Sequence, residues 1–160
     1  MPSLLRTLAF GSALAILVPA GSLTAQATDR AIGSWTLDVA KSKYSLASMP
    51  KSLTVTYVKA AQGLTVSTTG VDGQGNPTST GYTGNYDGKD VPATGSPDYD
   101  MVSLKRIDAS TVQITRKRGG KVVSTLRRVV SADGTVLTIT TTGTDAKGQT
   151  AKDVGVFEKQ

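Results

Sequence analysis

Apolar and polar residues alternate with a period of two along most of this chain. Leu53, Val55 and Tyr57 recur at every second position, as do Leu64 and Val66, Leu137 and Ile139, and the set Leu126, Arg128 and Val130. Alternate side chains of an extended chain share a face, so each set is expected on one side of a strand, with Ser, Thr, Asp and Lys opposite. Strands are expected near residues 32–40, 52–59, 64–71, 78–86, 90–94, 99–107, 111–117, 121–130, 135–143 and 150–159. Turn residues recur every 8–12 positions or so, the spacing of a sandwich or barrel. Asp72-Gly73, Asp87-Gly88, Gly119-Gly120 and Asp133-Gly134 are the expected hairpin turns, being residues that tolerate positive φ. No segment sustains a 3.6-residue apolar period, so no substantial helix is expected. Lys41 to Pro50 is the one long irregular stretch. It is read as a loop or a single helical turn lying over one end of the barrel.

An internal repeat sharpens the fold. Leu64 to Asn76 matches Leu137 to Gln149 at an offset of 73 residues, and its continuation aligns Leu53 with Leu126, Tyr82 with Gly155 and Gly84 with Phe157. Similar hairpins half a barrel apart are what a closed meander produces. The expected fold is therefore all-β, a single antiparallel up-and-down β-barrel of about 8–10 strands. The short 90–94 segment decides between the two counts. Parity turns Leu53, Leu126, Arg128, Tyr57, Tyr82 and Tyr86 inward. The outer faces are too polar for lipid and lack aromatic girdles, which argues against a membrane barrel.

The N-terminus has a different character. Arg6 is the only charge before Asp29, an apolar run from Leu8 to Val18 follows it, and Ala25-Gln26-Ala27 is a small-x-small cleavage site. This is the layout of a secretory signal peptide, with an apolar run short of the roughly 20 residues a membrane span needs. Residues 1–27 are read as a signal peptide and 28–160 as one barrel domain, exported to the periplasm or the extracellular space. No cysteine is available to take a lipid or form a disulfide, so the fold must rest on its own core. Loss of Arg6 leaves 17 of the 18 basic residues against 12 acidic ones, a balance of +5. A moderate positive charge favours anionic partners without choosing among them. With aromatic residues at 5% there is little to stack on bases, so no nucleic-acid partner is expected. Histidine is also absent. Ser-His-Asp and Cys-His nucleophiles and His/Cys zinc sites all need residues this chain lacks. No enzymatic activity, cofactor or metal is expected.

Two motifs carry a resemblance. Gly33-Ser34-Trp35 resembles the Gly-x-Trp opening of the calycin barrels, the lipocalins and fatty-acid-binding proteins, and implies that Trp35 closes one end. Arg128-Val-Val-Ser-Ala-Asp133-Gly134, followed by Leu137-Thr-Ile-Thr, resembles the late strands of fatty-acid-binding proteins, where the matching arginine meets the ligand carboxylate. The resemblance implies a lipocalin-like barrel with Arg128 as a ligand anchor. Two departures stand against fatty acid as the ligand. Lys41–Pro50 is too short for that family's two helices, and Gly155-Val156-Phe157 stands where it often has Arg-x-Tyr. The Trp35 to Lys43 segment also resembles the opening of a group of small exported bacterial proteins.

An arginine facing an apolar interior requires an anionic ligand, an internal carboxylate or trapped water. The competing reading stacks Arg128 on Trp35 as a floor plug, a contact of about 0.5–2 kcal/mol. Tyr57, Tyr82 and Tyr86 are read either as cavity hydroxyls or as ordinary strand aromatics. Arg116, Lys117, Arg118 and Lys121 form a basic hairpin tip, read as a solvated edge or as a patch for polyanions. Asp98 and Asp100, about 6.5–7 Å apart if extended, have the spacing of a carboxylate pair. Asp72 to Asn76 is too poor in side-chain oxygens for calcium. The leading expectation is an exported, non-enzymatic, monomeric protein holding a small hydrophobic or amphipathic ligand, with an anionic end as one option, in a cavity of about 300 Å³ or more. The alternative is a filled-core module that binds an anionic envelope surface through the basic hairpin.

Overall fold

Paired strands turn the alternation of side chains into an inside and an outside. The computed structural model describes residues 29–145 and 147–160, so the expected signal peptide, 1–27, lies outside the described residues. Ten strands form: β1 (Gly33–Leu37), β2 (Ser52–Lys59), β3 (Leu64–Val71), β4 (Pro77–Gly84), β5 (Val91–Thr94), β6 (Met101–Arg106), β7 (Thr111–Arg118), β8 (Lys121–Val130), β9 (Val136–Thr144) and β10 (Thr150–Lys159). Each pairs antiparallel with its neighbour in the chain, and β1 pairs with β10 to close the barrel. Closure removes the free edges that an open sheet would expose. Among the described residues no helix forms, and Lys41–Pro50 is a loop held on β10 by a Lys43–Val154 bridge.

All ten expected segments are strands, with small boundary differences. β1 stops at Leu37 because Asp38 turns the chain: its carboxylate accepts the Lys41 amide at 3.1 Å and its carbonyl the Ser42 hydroxyl at 2.6 Å. β4 ends at Gly84, which leaves Tyr86 in the connection to β5. β5 is real but lightly held, with two residue pairs to β4 and two to β6.

The repeat is structural. Asp72 and Asp145 each open a five-residue connection in which the aspartate carboxylate accepts the backbone N–H of the closing residue, Asn76 at 2.8 Å and Gln149 at 2.9 Å. The left-handed residue there is Gly75 (φ +99°), not the expected Gly73, and Gly148 (φ +78°) is its counterpart. A longer loop moved the positive φ along the chain. The two hairpins, β3–β4 and β9–β10, lie nearly opposite each other around the ring.

The barrel has two unlike ends. At one, Trp35, Leu64, Val130 and Leu137 pack together. The segment before β1 crosses that end and buries Ala31 completely. At the other, Tyr44, Ala47 and Pro50 of the 41–50 loop and Tyr99 border an incompletely filled interior.

Core packing should therefore be uneven, and truncation reads it. Leu137→Ala, at a site with no exposure, is expected to cost about 2–5 kcal/mol in urea unfolding. Leu53→Ala, at the half-buried open end, should cost clearly less. Equal losses would contradict the two-ended core.

Candidate functional site

Arg128 sits on β8 with its side chain inside the barrel at 1% exposure. Its charge is met by Asp29, whose Oδ2 accepts from Arg128 Nη2 at 2.8 Å and from Arg106 Nη2 at 3.3 Å. The Tyr86 hydroxyl donates to the same oxygen, and Oδ1 accepts the Ala31 amide at 2.8 Å. Of the three solutions open to a buried arginine, the molecule uses the internal carboxylate. The expected stacking on Trp35 is corrected: the Arg128 guanidinium lies over Tyr57 at 4.9 Å, while Lys159 takes the Trp35 ring at 5.2 Å. Register explains this, since Trp35 pairs with Lys159 on β10. Trp35 is fully buried and donates its indole N–H to the Ala31 carbonyl at 2.7 Å, which ties the crossing segment over the barrel floor. Arg128 Nε and Nη1 meet no hydrogen-bond acceptor among the described residues.

Burial pushes the Asp29 carboxyl up, but the Arg128 charge and the hydrogen bonds from Tyr86, Ala31 and Arg128 outweigh it and hold it below the usual range. Burial, and then the hydrogen bond to Asp29, push the Tyr86 hydroxyl up to about 12. Tyr86 also carries Arg106 over its ring at 4.1 Å. Arg128 and Tyr86 thus belong to a polar floor. They do not line the space above it.

That space is a cavity of about 210 Å³ in the open half, smaller than the expected lower bound. Tyr57 separates it from Arg128, and Tyr82 and Leu126 line it. Val66, Ile114, Ile139 and Phe157 supply most of the remaining apolar wall, and Tyr44, Ala47 and Pro50 of the 41–50 loop reach its mouth. Gly155, the repeat partner of Tyr82, makes room for that loop. A Cβ there would fall 2.8 Å from the Phe157 ring and 3.1 Å from the Tyr44 hydroxyl. The loop is pinned by Asp153, whose Oδ1 accepts the Ser45 and Leu46 amides at 2.7 Å each. Burial and the nearby Asp153 charge push the Tyr44 hydroxyl up to about 12. Burial also raises the Tyr57 and Tyr82 hydroxyls.

The basic hairpin does not stay together as one patch. Arg116 continues the inward parity of Val112 and Ile114, is half-buried, lines the cavity and lies over Tyr99 at 4.5 Å. A β-bulge between Arg116 and Lys117 breaks the register just beyond it. Lys117 pairs with Asp90 at 2.7 Å, and Asp100 accepts the Gly119 amide at 3.0 Å. Arg118 and Lys121 remain exposed. The Asp98–Asp100 pair lies in a turn whose buried member is Tyr99, so the two carboxylates do not face the cavity. The Asp72 carboxylate is used within its own turn. Among the described residues no group of three acidic side chains comes together to hold a metal.

Asp29 was not legible as a partner for Arg128, since it precedes the first strand and parity says nothing about it. Arg116 carried a signal, the Val112-x-Ile114-x-Arg116 alternation, hidden beneath the charge run that follows. Comparison with protein-family models, with curated proteins and with solved structures finds no match.

Removing the carboxylate leaves a buried cation uncompensated, so Asp29→Ala is expected to cost about 3–5 kcal/mol in urea unfolding at neutral pH. The pH dependence has a definite sign. A carboxyl held below its ordinary 3.8 stabilises the fold fully above that value and loses the effect as pH falls through the lowered folded pKa. The stability gap between wild type and Asp29→Asn should therefore narrow below about pH 4. A gap that stays constant down to pH 2 would show that Asp29 is not the linked group.

Proposed function

We propose that this chain is a non-enzymatic, calycin-like binding protein that holds one small, partly apolar molecule in the open half of its barrel. The observation that carries the reading is the cavity itself, about 210 Å³ of space above a filled and pinned floor. A closed barrel with no use for an interior would pack both halves, because an unfilled void forfeits dispersion contacts and costs stability. Here the void is walled in the main by apolar side chains, with Tyr57, Tyr82, Thr68, Thr141, Arg116 and Asp153 as its polar members and a mouth bounded by a loop. Few polar groups in an apolar concavity is the usual build of a small-ligand site.

The volume sets the scale of the ligand. It exceeds the roughly 150 Å³ of an engineered apolar cavity that binds benzene, and it falls below the lower end of drug-sized pockets. A single ring or a short chain fits; a long-chain fatty acid does not. The Gly33-Ser34-Trp35 opening and the buried Trp35 at the barrel floor support the calycin resemblance. The signal-like N-terminus supports export, with the ligand met in the periplasm or outside the cell. The absence of histidine and cysteine from the sequence supports a binding role over nucleophilic catalysis.

Titration of the isotope-labelled protein with benzyl alcohol and with hexan-1-ol tests this. Saturable amide shifts around Val66, Tyr82 and Ile139 are expected. Thr68→Trp, which places an indole in the half-buried cavity wall, should abolish them while leaving the fold intact. Absence of saturable shifts with either probe would remove the ligand-binding reading.

A further inference from the structure

The cavity wall has a distinctive charge arrangement, with one cation and one anion among the described residues. The anion, Asp153, is committed: its Oδ1 receives two backbone N–H groups from the 41–50 loop. The cation is not. Arg116 forms no salt bridge and no side-chain hydrogen bond among the described residues. Its guanidinium lies over the Tyr99 ring, 4.5 Å from the ring centre. Stacking of that kind uses the flat face of a guanidinium and leaves the N–H groups around its edge free to donate. Arg128 makes the contrast, since that arginine, fully buried, is neutralised by Asp29 at 2.8 Å. One of the two interior arginines is closed off by a built-in carboxylate, and the one at the open cavity has been left without one.

We propose that the cavity takes a small monoanion, a single-ring or short-chain carboxylate, and that Arg116 holds its charged end while the apolar wall takes the rest. This rests on the reading of the cavity as a ligand site and adds the chemical class of the ligand. Three further observations agree with it. The positive charge of Arg116 is felt across the cavity, where it favours the ionised forms of Tyr44, Tyr57 and Tyr82. The Tyr82 hydroxyl, on the cavity wall and with no hydrogen bond among the described residues, is a second donor that a carboxylate could use. The β-bulge next to Arg116 is a common device for aiming a side chain at a site. A carboxylate is favoured over a neutral polar group because a guanidinium meets its two oxygens with two parallel hydrogen bonds.

The test compares matched probes on the intact barrel at neutral pH by calorimetry and amide shifts: benzoate against benzyl alcohol, hexanoate against hexan-1-ol, and benzylamine as the opposite charge. The carboxylates should bind roughly tenfold or more tighter than their alcohols, the scale of one charge-assisted hydrogen bond. In Arg116→Gln the acids should bind no tighter than their matched alcohols measured on the same variant, and Arg116→Lys, which keeps the charge, should restore part of the preference. Urea midpoints of the variants confirm that the barrel is intact. Equal binding of acids and alcohols, or a preference that survives Arg116→Gln, overturns the anion assignment and leaves the cavity reading standing. Tighter binding of benzylamine overturns it in favour of Asp153. No binding by any probe takes away both readings.

Discussion

A guanidinium inside an apolar barrel must be neutralised, and the contact between Asp29 and Arg128 does this. Much else in the closed half follows from it. The carboxylate comes from the residues preceding β1, so meeting it draws that segment across the barrel end, buries Ala31 and brings the Ala31 carbonyl to the Trp35 indole. The same oxygen gathers Arg106 and Tyr86, which ties β6 and the β4–β5 connection to the floor. The desolvation of Arg128 is offset by an ion pair, an aromatic face and the packing around them, where a lone charge would be too costly to bury.

Filling one end of the barrel so firmly confines any open space to the other. Ten strands enclose more interior than the side chains of this Thr-rich sheet occupy, because threonine and glycine on β3, β4 and β9 contribute little volume inward. The 41–50 loop partly covers the remainder, held by Asp153 and by the room that Gly155 leaves for Tyr44. The result is a gradient along the barrel axis, from a packed floor through the Tyr57 ring to a walled void. The proposed binding role draws on that gradient, with a packed floor below and an opening above.

The repeat shows how local chemistry and global form reinforce each other. Asp72 and Asp145 organise their connections by the same carboxylate-to-amide hydrogen bonds, although the hairpins lie on opposite sides of the ring. Where the two copies differ, the difference has a use. Tyr82 projects into the cavity, and its counterpart Gly155 yields space to a loop that has no equivalent in the first copy.

Side-chain parity, turn residues and the repeat determined the strand count within narrow bounds, the inward set from Leu53 to Val130, and the irregular 41–50 loop. These are local properties, set by the two-residue pleat and by which residues tolerate a turn, so they are written in short stretches of chain. Parity states which side of the sheet a residue occupies and nothing about its height along the barrel axis or its neighbour across the interior. Those depend on register and closure, which join residues a hundred positions apart. Only the tertiary structure could therefore send Arg128 to the floor and Arg116 to the cavity, choose Asp29 and not Trp35 as the companion of Arg128, and split a run of basic residues between an inner wall, an ion pair and open solvent.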